Sequence, residues 1–250
     1  MRTKAIFFLF LLILIPGFAL VAEESQARTG HLNVDSGQTF KDPLTIAIDK
    51  DYPPQTFLNV DGQPTGIFVD IWRLWSQKIG KNIKFITSNW KDTLTNLKNG
   101  KADIHSGLFY SDSRAEWIKF SQPFYGVGSY LFLKAGSKGI DSRGDLAGKK
   151  IGATSGSFQE EYLRKKYPKA EVVPFTNREE MIRAVRAAKI DALLAEGPAM
   201  TAILRRLGLA GQFQTSSVLF NKSFHAGVLK ENNALLLLID KGFDTISNQE

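Results

Sequence analysis

An internal repeat of one sequence pattern, called the echo below, is the feature of this sequence that most constrains its fold. The segments "NWKDTLTNLKNGKADI" (89–104) and "NREEMIRAVRAAKIDA" (177–192) align without a gap. In both, apolar residues recur at helical spacing and lead into a short apolar run that is typical of a strand. Charged positions match as well, as with Asp103 and Asp191. One such unit is ordinary in an α/β protein, whereas two units with matching charges predict two similar α/β lobes.

The segments around the echo extend this pattern. The short β run "LTIAI" (44–48) ends in the Pro-rich turn "DKDYPPQTF", and "IFVDIWRLWSQKIG" (67–80) has helical spacing with Gly80 as its stop. The next run, "IKFI" (83–86), predicts a strand. A strand, a helix and a strand imply parallel pairing through a right-handed crossover. The second lobe is predicted to begin near "LAGKKIGATSGSFQEEYLRKKY" (146–167), again a strand, a Gly/Ser turn and a helix.

The N-terminal segment predicts export. It has Arg2 and Lys4, then an uncharged apolar run and a Pro-Gly break before small residues, which is the layout of a secretory signal. An uncleaved anchor is the less favoured alternative, because the break interrupts a stretch already short for a membrane span. We therefore predict a periplasmic protein with a signal peptide and the start of a linker in 1–27, and the rest of the linker in 28–42. The cleavage site stays open.

Composition excludes several classes of site. The chain has no cysteine, which rules out disulfides and thiolate catalysis. Its three histidines are isolated in sequence, so we predict no metal site and no cofactor. The formal charge of +7 is scattered along the chain rather than clustered, so we predict no nucleic-acid partner.

Two motifs fall where two such lobes would face each other. Sheets of this kind bind ligands at the carboxyl ends of their strands, beside the N-termini of the helices that follow. Ser157 precedes one of these helices and is predicted either to contact an anion or simply to cap the helix. Arg114 follows the strand that ends in "ADIHSG". It is predicted either to hold a carboxylate in its guanidinium fork or to lie in solvent at the start of a helix "SRAEWIKF".

The segment "GKADI...SGLFYSDSRAEWIKFSQPFY" decides between these readings, because it resembles the signature region of bacterial solute-binding protein family 3. These are the type II periplasmic amino-acid-binding proteins, and the resemblance covers the chain from about Pro43 to Phe243. It implies an α/β, two-lobed fold with a ligand cleft between the lobes. Lobe 1 is then predicted at 43–131 plus 225–250, and lobe 2 at 132–224, joined by hinge strands near "SYLFLK" and "FHAGVLK".

The resemblance also implies roles for individual residues. Arg114 matches the arginine that clamps the ligand α-carboxylate, and Glu196 in "KIDALLAEGPA" matches the acid that receives the α-ammonium group. Other ligand contacts are predicted at Tyr52, Trp90, Gly107, Phe109, Ser157 and Phe158.

Three residues depart from the family pattern. Phe109 lies where amino-acid binders usually have a hydroxyl, Phe68 replaces a common aspartate, and Gln55 replaces an aromatic that usually walls the side-chain pocket. Variants of the "GLFYS...R" type resemble sensory input domains attached to signalling proteins. The sequence also ends before the family's usual closing helix, so a longer protein is left open.

The predicted function is extracytoplasmic binding of a small carboxylate-bearing solute, an amino acid above all, by closure of the lobes. A monomer would then deliver the ligand to a membrane permease for ABC-type import, or pass a signal to a sensory partner. The alternative is a periplasmic dehydratase-like enzyme on the same fold, with Glu196 as general acid. The identity of the solute stays open.

Overall fold

The computed structural model describes residues 39–140 and 146–247. The predicted signal peptide and most of the predicted linker lie outside these residues. The strands are β1 Leu44–Asp49, β2 Asp51–Tyr52, β3 Thr56–Leu58, β4 Pro64–Thr65, β5 Ile83–Ser88, β6 Ile104–Phe109, β7 Ile118–Lys134, β8 Lys150–Thr154, β9 Glu171–Phe175, β10 Ala192–Glu196, β11 Phe213–Thr215 and β12 Phe220–Leu229. The α-helices are α1 Ile67–Ile79, α2 Trp90–Lys98, α3 Asp112–Ala115, α4 Phe158–Lys166, α5 Arg178–Arg186, α6 Gly197–Arg206 and α7 Asn233–Phe243. No helix in the described part of the chain is long and apolar enough to cross a membrane.

One sheet carries two parallel groups of strands. Its order is β5-β1-β6-β12-β7-β10-β8-β9, with β11 paired to β7. Strand β1 pairs in parallel with β5 and β6, and β8 pairs in parallel with β9 and β10. Each group has its own helices, α1 and α2 in the first and α4 and α5 in the second. The two-lobed α/β fold and the parallel pairing of β1 with the strand after α1 are therefore confirmed.

Two antiparallel strands connect the lobes. Strand β7 pairs with β12 from Ile118 to Ser129 and with β10 from Ser129 to Leu133. The chain thus passes from one parallel group to the other near Ser129. After β12, helix α7 returns to the first lobe, where the Trp75 indole N–H of α1 donates to the Ile239 carbonyl oxygen at 3.1 Å.

The echo in the sequence corresponds to one hydrogen-bond motif used twice. The Asp103 carboxylate accepts a hydrogen bond from the backbone N–H of Thr45 at 2.9 Å, in the first strand of lobe 1. The Asp191 carboxylate accepts from the backbone N–H of Lys150 at 2.8 Å, in the first strand of lobe 2. In both places the acid follows a helix and anchors the start of the next strand to the first strand of its lobe.

Two local predictions were wrong. The helix predicted over "SRAEWIKF" ends at Ala115, and β7 begins at Ile118, because Ile118 is buried and pairs with Leu229 of β12. The Pro-rich segment after β1 is more than a turn, since β2, β3 and β4 form a small antiparallel sheet there.

Candidate functional site

A cavity lies between the two lobes, at the carboxyl ends of the parallel strands. Its lining residues are Tyr52, Trp90, Phe109, Arg114, Thr154, Ser157, Phe158, Gln159, Arg178, Leu194, Ala195, Glu196 and Phe224. Its volume is about 20 Å³, which is room for about one water molecule. The structure therefore shows the two walls of the cleft in contact with each other.

The structure brings seven of the eight predicted site residues to this cavity. Arg114, Glu196, Ser157, Tyr52, Phe109, Phe158 and Trp90 are all in its lining. Gly107 is not. A Cβ atom at Gly107 would lie 2.7 Å from the Phe68 ring, so this glycine allows close packing inside lobe 1 rather than contact with the cavity.

Arg114 is buried, with 6% of its surface exposed, so its interpretation as a solvated arginine was wrong. Its guanidinium donates to the carbonyl oxygens of Phe109 at 2.8 Å and of Gly156, across the cleft, at 3.2 Å. Its Cζ atom lies 5.5 Å from the centre of the Trp90 ring. Within the described ranges, no carboxylate oxygen comes within 4.0 Å of it. Burial lowers the pKa of Arg114 to about 10, although Glu161 and Glu196 partly offset this effect.

Glu196 ends β10 on the opposite wall and is also buried. Its Oε1 atom accepts a hydrogen bond from the Gln159 side-chain amide at 2.7 Å. A buried carboxylate held by one amide keeps further lone pairs for a donor in the cavity. The cavity therefore has a guanidinium on one wall and a carboxylate on the other.

Ser157 acts as the N-cap of α4. Its hydroxyl accepts from the backbone N–H of Glu160 at 3.2 Å, and the Glu160 carboxylate accepts from the backbone N–H of Gly156 at 2.8 Å. These bonds satisfy part of the helix N-terminus from within the protein. Ser157 therefore has the capping role that the sequence left open, while it also borders the cavity.

Aromatic side chains form the apolar part of the wall. The Phe109 ring packs 4.4 Å from the Phe224 ring and 5.9 Å from the Phe158 ring, measured between centroids. Phe109 thus contributes packing across the cleft where a hydroxyl would contribute a hydrogen bond. The buried Tyr52 hydroxyl has no hydrogen-bond partner among the described residues. Burial and the nearby Glu196 raise the pKa of Tyr52 well above its usual value.

His105 lies outside the lining. It is 1% exposed, and its Nε2 atom is 2.8 Å from the Thr93 hydroxyl. Burial lowers the pKa of His105 to about 3, with the Arg114 charge adding to the effect. His105 is therefore a neutral, packed side chain.

The family of the protein follows from the extent of its sequence match. Residues 44–250 match the bacterial extracellular solute-binding proteins, family 3. The chain belongs to this family. The match includes every residue that lines the cavity, and the family description places its members outside the cytoplasm.

Similar proteins include a solute-binding protein, a sensor domain and an ancestral binding protein from which an enzyme is described to descend. The L-cystine-binding protein TcyJ of Escherichia coli K12 is 28% identical over 155 residues, 61% of this chain and 58% of that protein. A histidine kinase sensor domain has 24% identity and a TM-score of 0.76 over 80% of this chain and 88% of that chain. An ancestral amino-acid-binding protein, described as a precursor of cyclohexadienyl dehydratase, has 22% identity and a TM-score of 0.70 over 80% and 88%. The two structures share the fold of this family member.

Six lining residues were missed by the sequence interpretation, and Arg178 is the charged one among them. It is the first residue of α5 and lies across the cleft from Asp49, with 3.1 Å between Nη1 and Oδ2. An arginine that is followed by two glutamates at the start of a helix is typical of a solvent-exposed face, so the local sequence did not indicate burial. The echo contained a usable signal, because Arg178 follows Asn177 as Trp90 follows Asn89, and Trp90 was predicted to contact ligand.

Proposed function

We propose that this protein binds a free α-amino acid in the cavity between its lobes. Arg114 would hold the α-carboxylate and Glu196 the α-ammonium group, with Trp90, Phe109 and Tyr52 covering the ligand. The observation that supports this most strongly is the buried Arg114 guanidinium, whose hydrogen bonds among the described residues go only to carbonyl oxygens. A buried cation gains most from a charged, bidentate partner, which a carboxylate supplies.

Binding is coupled to closure of the lobes in this proposal. Arg114 of lobe 1 and the Gly156 carbonyl of lobe 2 are already joined, and the Trp90 indole N–H also donates to the Gly156 carbonyl, at 3.1 Å. An incoming carboxylate would replace Gly156 as the acceptor of Arg114. The lobes would separate to admit it and close again around it, which shifts the population towards a closed, ligand-bound state.

The test is removal of the guanidinium. We expect Arg114→Ala to weaken binding of the best amino-acid ligand by ~2 to 5 kcal/mol, because the carboxylate loses its buried partner. Isothermal titration calorimetry with an amino-acid panel measures this difference. Arg73→Ala is the control, since Arg73 is exposed and pairs with Asp70 on the surface of α1. Unchanged affinity in Arg114→Ala would refute the assignment.

We further propose a periplasmic protein with a cleaved signal peptide, acting as a monomer. The predicted lobe limits, 43–131 plus 225–250 and 132–224, belong to the same proposal. The crossing of β7 near Ser129 supports a boundary in that region. The ligand would pass to a membrane permease or alter a signalling partner. Adjacent permease genes would favour import, and a downstream kinase domain in the same reading frame would favour sensing.

A second candidate function is that of a dehydratase-like enzyme. The likeness to an ancestral precursor of cyclohexadienyl dehydratase, and a buried Glu196 in the cavity, favour it. In that case Glu196 would act as a general acid. Mass spectrometry after long incubation with amino acids and prephenate-like acids separates the two functions. A binding protein returns every compound unchanged, whereas turnover that Glu196→Gln abolishes would support the enzyme.

A further inference from the structure

One wall of the cavity is built on a buried ion pair between the lobes. Asp49 ends β1 in lobe 1, and Arg178 begins α5 in lobe 2. Their side chains are 6% and 7% exposed, and the distance from Nη1 to Oδ2 is 3.1 Å. The same Nη1 atom donates to the Asp51 carbonyl oxygen at 3.0 Å. Arg178 therefore lines the cavity while its guanidinium is bonded to the Asp49 carboxylate of the opposite lobe.

Two further polar atoms of this wall have no hydrogen-bond partner among the described residues. Arg178 Nε and the Tyr52 hydroxyl are both buried and without a hydrogen bond in the described part of the protein. The Arg178 guanidinium lies over the Tyr52 ring, with 4.3 Å between Cζ and the centre of the ring. Unpartnered buried donors are rare in folded proteins, and a ligand atom is one of the partners that such groups take. An N–H and a hydroxyl together suit a hydrogen-bond acceptor.

The charges around the cavity already balance. Arg114 and Arg178 are matched by Glu196 and Asp49, and a zwitterionic amino acid adds no net charge. Burial alone would lower the pKa of Arg178, but the carboxylates of Asp49 and Glu196 raise it, so the guanidinium keeps its proton. A cationic ligand side chain would therefore face a fixed cation, and an anionic one would add a charge that nothing balances. Either is costly in a buried site.

We propose that Arg178 determines the specificity of this site, by occupying through its bond to Asp49 the place that a cationic ligand side chain would need. The cleft then selects an α-amino acid whose uncharged side chain ends in a hydrogen-bond acceptor, such as the carboxamide of glutamine or asparagine, and rejects basic amino acids. This inference rests on the proposed amino-acid binding and names its ligand class.

The first experiment ranks ligands on the wild-type protein. Titration calorimetry compares L-glutamine and L-asparagine with L-glutamate, L-lysine and L-arginine. We expect one of the carboxamides to bind tightest, and lysine and arginine to bind at least ~100-fold more weakly, because like charges juxtaposed in a buried site strongly oppose binding. Lysine or arginine binding as tightly as the better carboxamide would overturn the proposal.

The second experiment moves the specificity. Arg178→Gln leaves the Asp49 carboxylate without its cation, so we expect affinity for lysine or arginine, relative to glutamine, to rise by ~10-fold or more. Adding Asp49→Asn to the same chain should abolish that gain, and Arg178→Lys should keep the rejection of basic ligands. An unchanged ratio in a folded Arg178→Gln protein would contradict the assignment.

The control is a neighbouring arginine outside the lining. Arg206 pairs with Glu179 at 2.8 Å and with Asp51 at 3.5 Å, and Arg206→Gln should leave the ratio of affinities unchanged. A melting curve shows whether each variant folds. If a variant does not fold, the ranking of ligands on the wild-type protein tests the role of Arg178. Failure of every amino acid to bind would refute the proposed function, whereas equal binding of glutamine and arginine would refute only the role of Arg178.

Discussion

At the scale of single residues, Arg114 and Arg178 are two buried guanidinium groups in one cavity that differ in what balances them. Arg178 has the Asp49 carboxylate at 3.1 Å. Arg114 has two carbonyl oxygens, and burial lowers its pKa to about 10, whereas the pKa of Arg178 is raised. A ligand anion therefore stabilises Arg114 more than Arg178, which explains why we assign the two groups different roles.

Gln55 offers a test of what an unpaired polar group costs. It is fully buried, and neither its amide nitrogen nor its amide oxygen has a partner among the described residues. We expect Gln55→Met, which has a similar shape, to raise the free energy of unfolding by ~1 to 3 kcal/mol, because the desolvation cost of the amide disappears. Urea unfolding followed by circular dichroism measures it.

The control for Gln55 is Gln159→Met. Gln159 is also buried, but its amide donates to Glu196, so losing it should not stabilise the protein. A Gln55→Met protein that is less stable than the wild type would show that the amide has a partner in solution.

Single residues were predictable only where a motif marked them. Arg114 and Glu196 each lie in a segment that resembles the family signature, and both reach the cavity. Arg178 stands at a helix start among charged residues, where a solvent-exposed face has the same composition. Its burial depends on Asp49, which is 129 positions away in the chain, and a contact of that separation leaves no local pattern.

At the scale of elements, the two helix–strand units are anchored by equivalent acids. We expect Asp103→Ala and Asp191→Ala each to lower the free energy of unfolding by ~1 to 3 kcal/mol, because each removes a charged acceptor from a backbone N–H of the first strand in its lobe. Asp61→Ala, in an exposed turn, should change it by less than about 0.5 kcal/mol. Urea unfolding at pH 7 makes the comparison. If one of these two substitutions lowers the free energy of unfolding and the other does not, the two repeated segments do not have equivalent structural roles.

Asp103 adds a pH dependence with a definite sign. Burial alone would raise its pKa, but hydrogen bonds from Lys41 and Thr45 lower it below the ordinary value of 3.8. A carboxyl whose pKa is lower in the folded state contributes stability that is complete above its unfolded pKa and is lost as the pH falls through its folded pKa. The stability difference between wild type and Asp103→Ala should therefore be constant down to about pH 4 and shrink below it.

Elements were predictable where a local period dominated. Helix α1 ends at its predicted stop, Gly80, which adopts a left-handed backbone with φ of 66°. The segment after Arg114 was misjudged because its charged residues suit a short helix, while Ile118 and the residues that follow it pair with β12. That partner strand lies about a hundred residues later in the sequence, so the outcome depended on the tertiary fold.

At the scale of the whole molecule, the two lobes meet through the groups proposed to hold the ligand. Arg114 and Trp90 reach the Gly156 carbonyl of the opposite lobe, and Arg178 reaches Asp49. The lobes as units were predictable from the echo and the family resemblance. The closed arrangement was not, since it depends on side chains from both lobes meeting across the cleft. In the proposed function, an amino acid would have to displace some of these contacts, so part of its binding energy would be spent on reopening them.

The measurement that tests the central claim most directly is a calorimetric titration of the wild-type protein with three related compounds. These are the tightest-binding α-amino acid, its deaminated acid and its decarboxylated amine. If Arg114 and Glu196 bind the two ends of one zwitterion, the amino acid should bind at least ~100-fold more tightly than either analogue, because each analogue leaves one buried charge unpaired. A deaminated acid or an amine that binds as tightly as the amino acid would contradict the account.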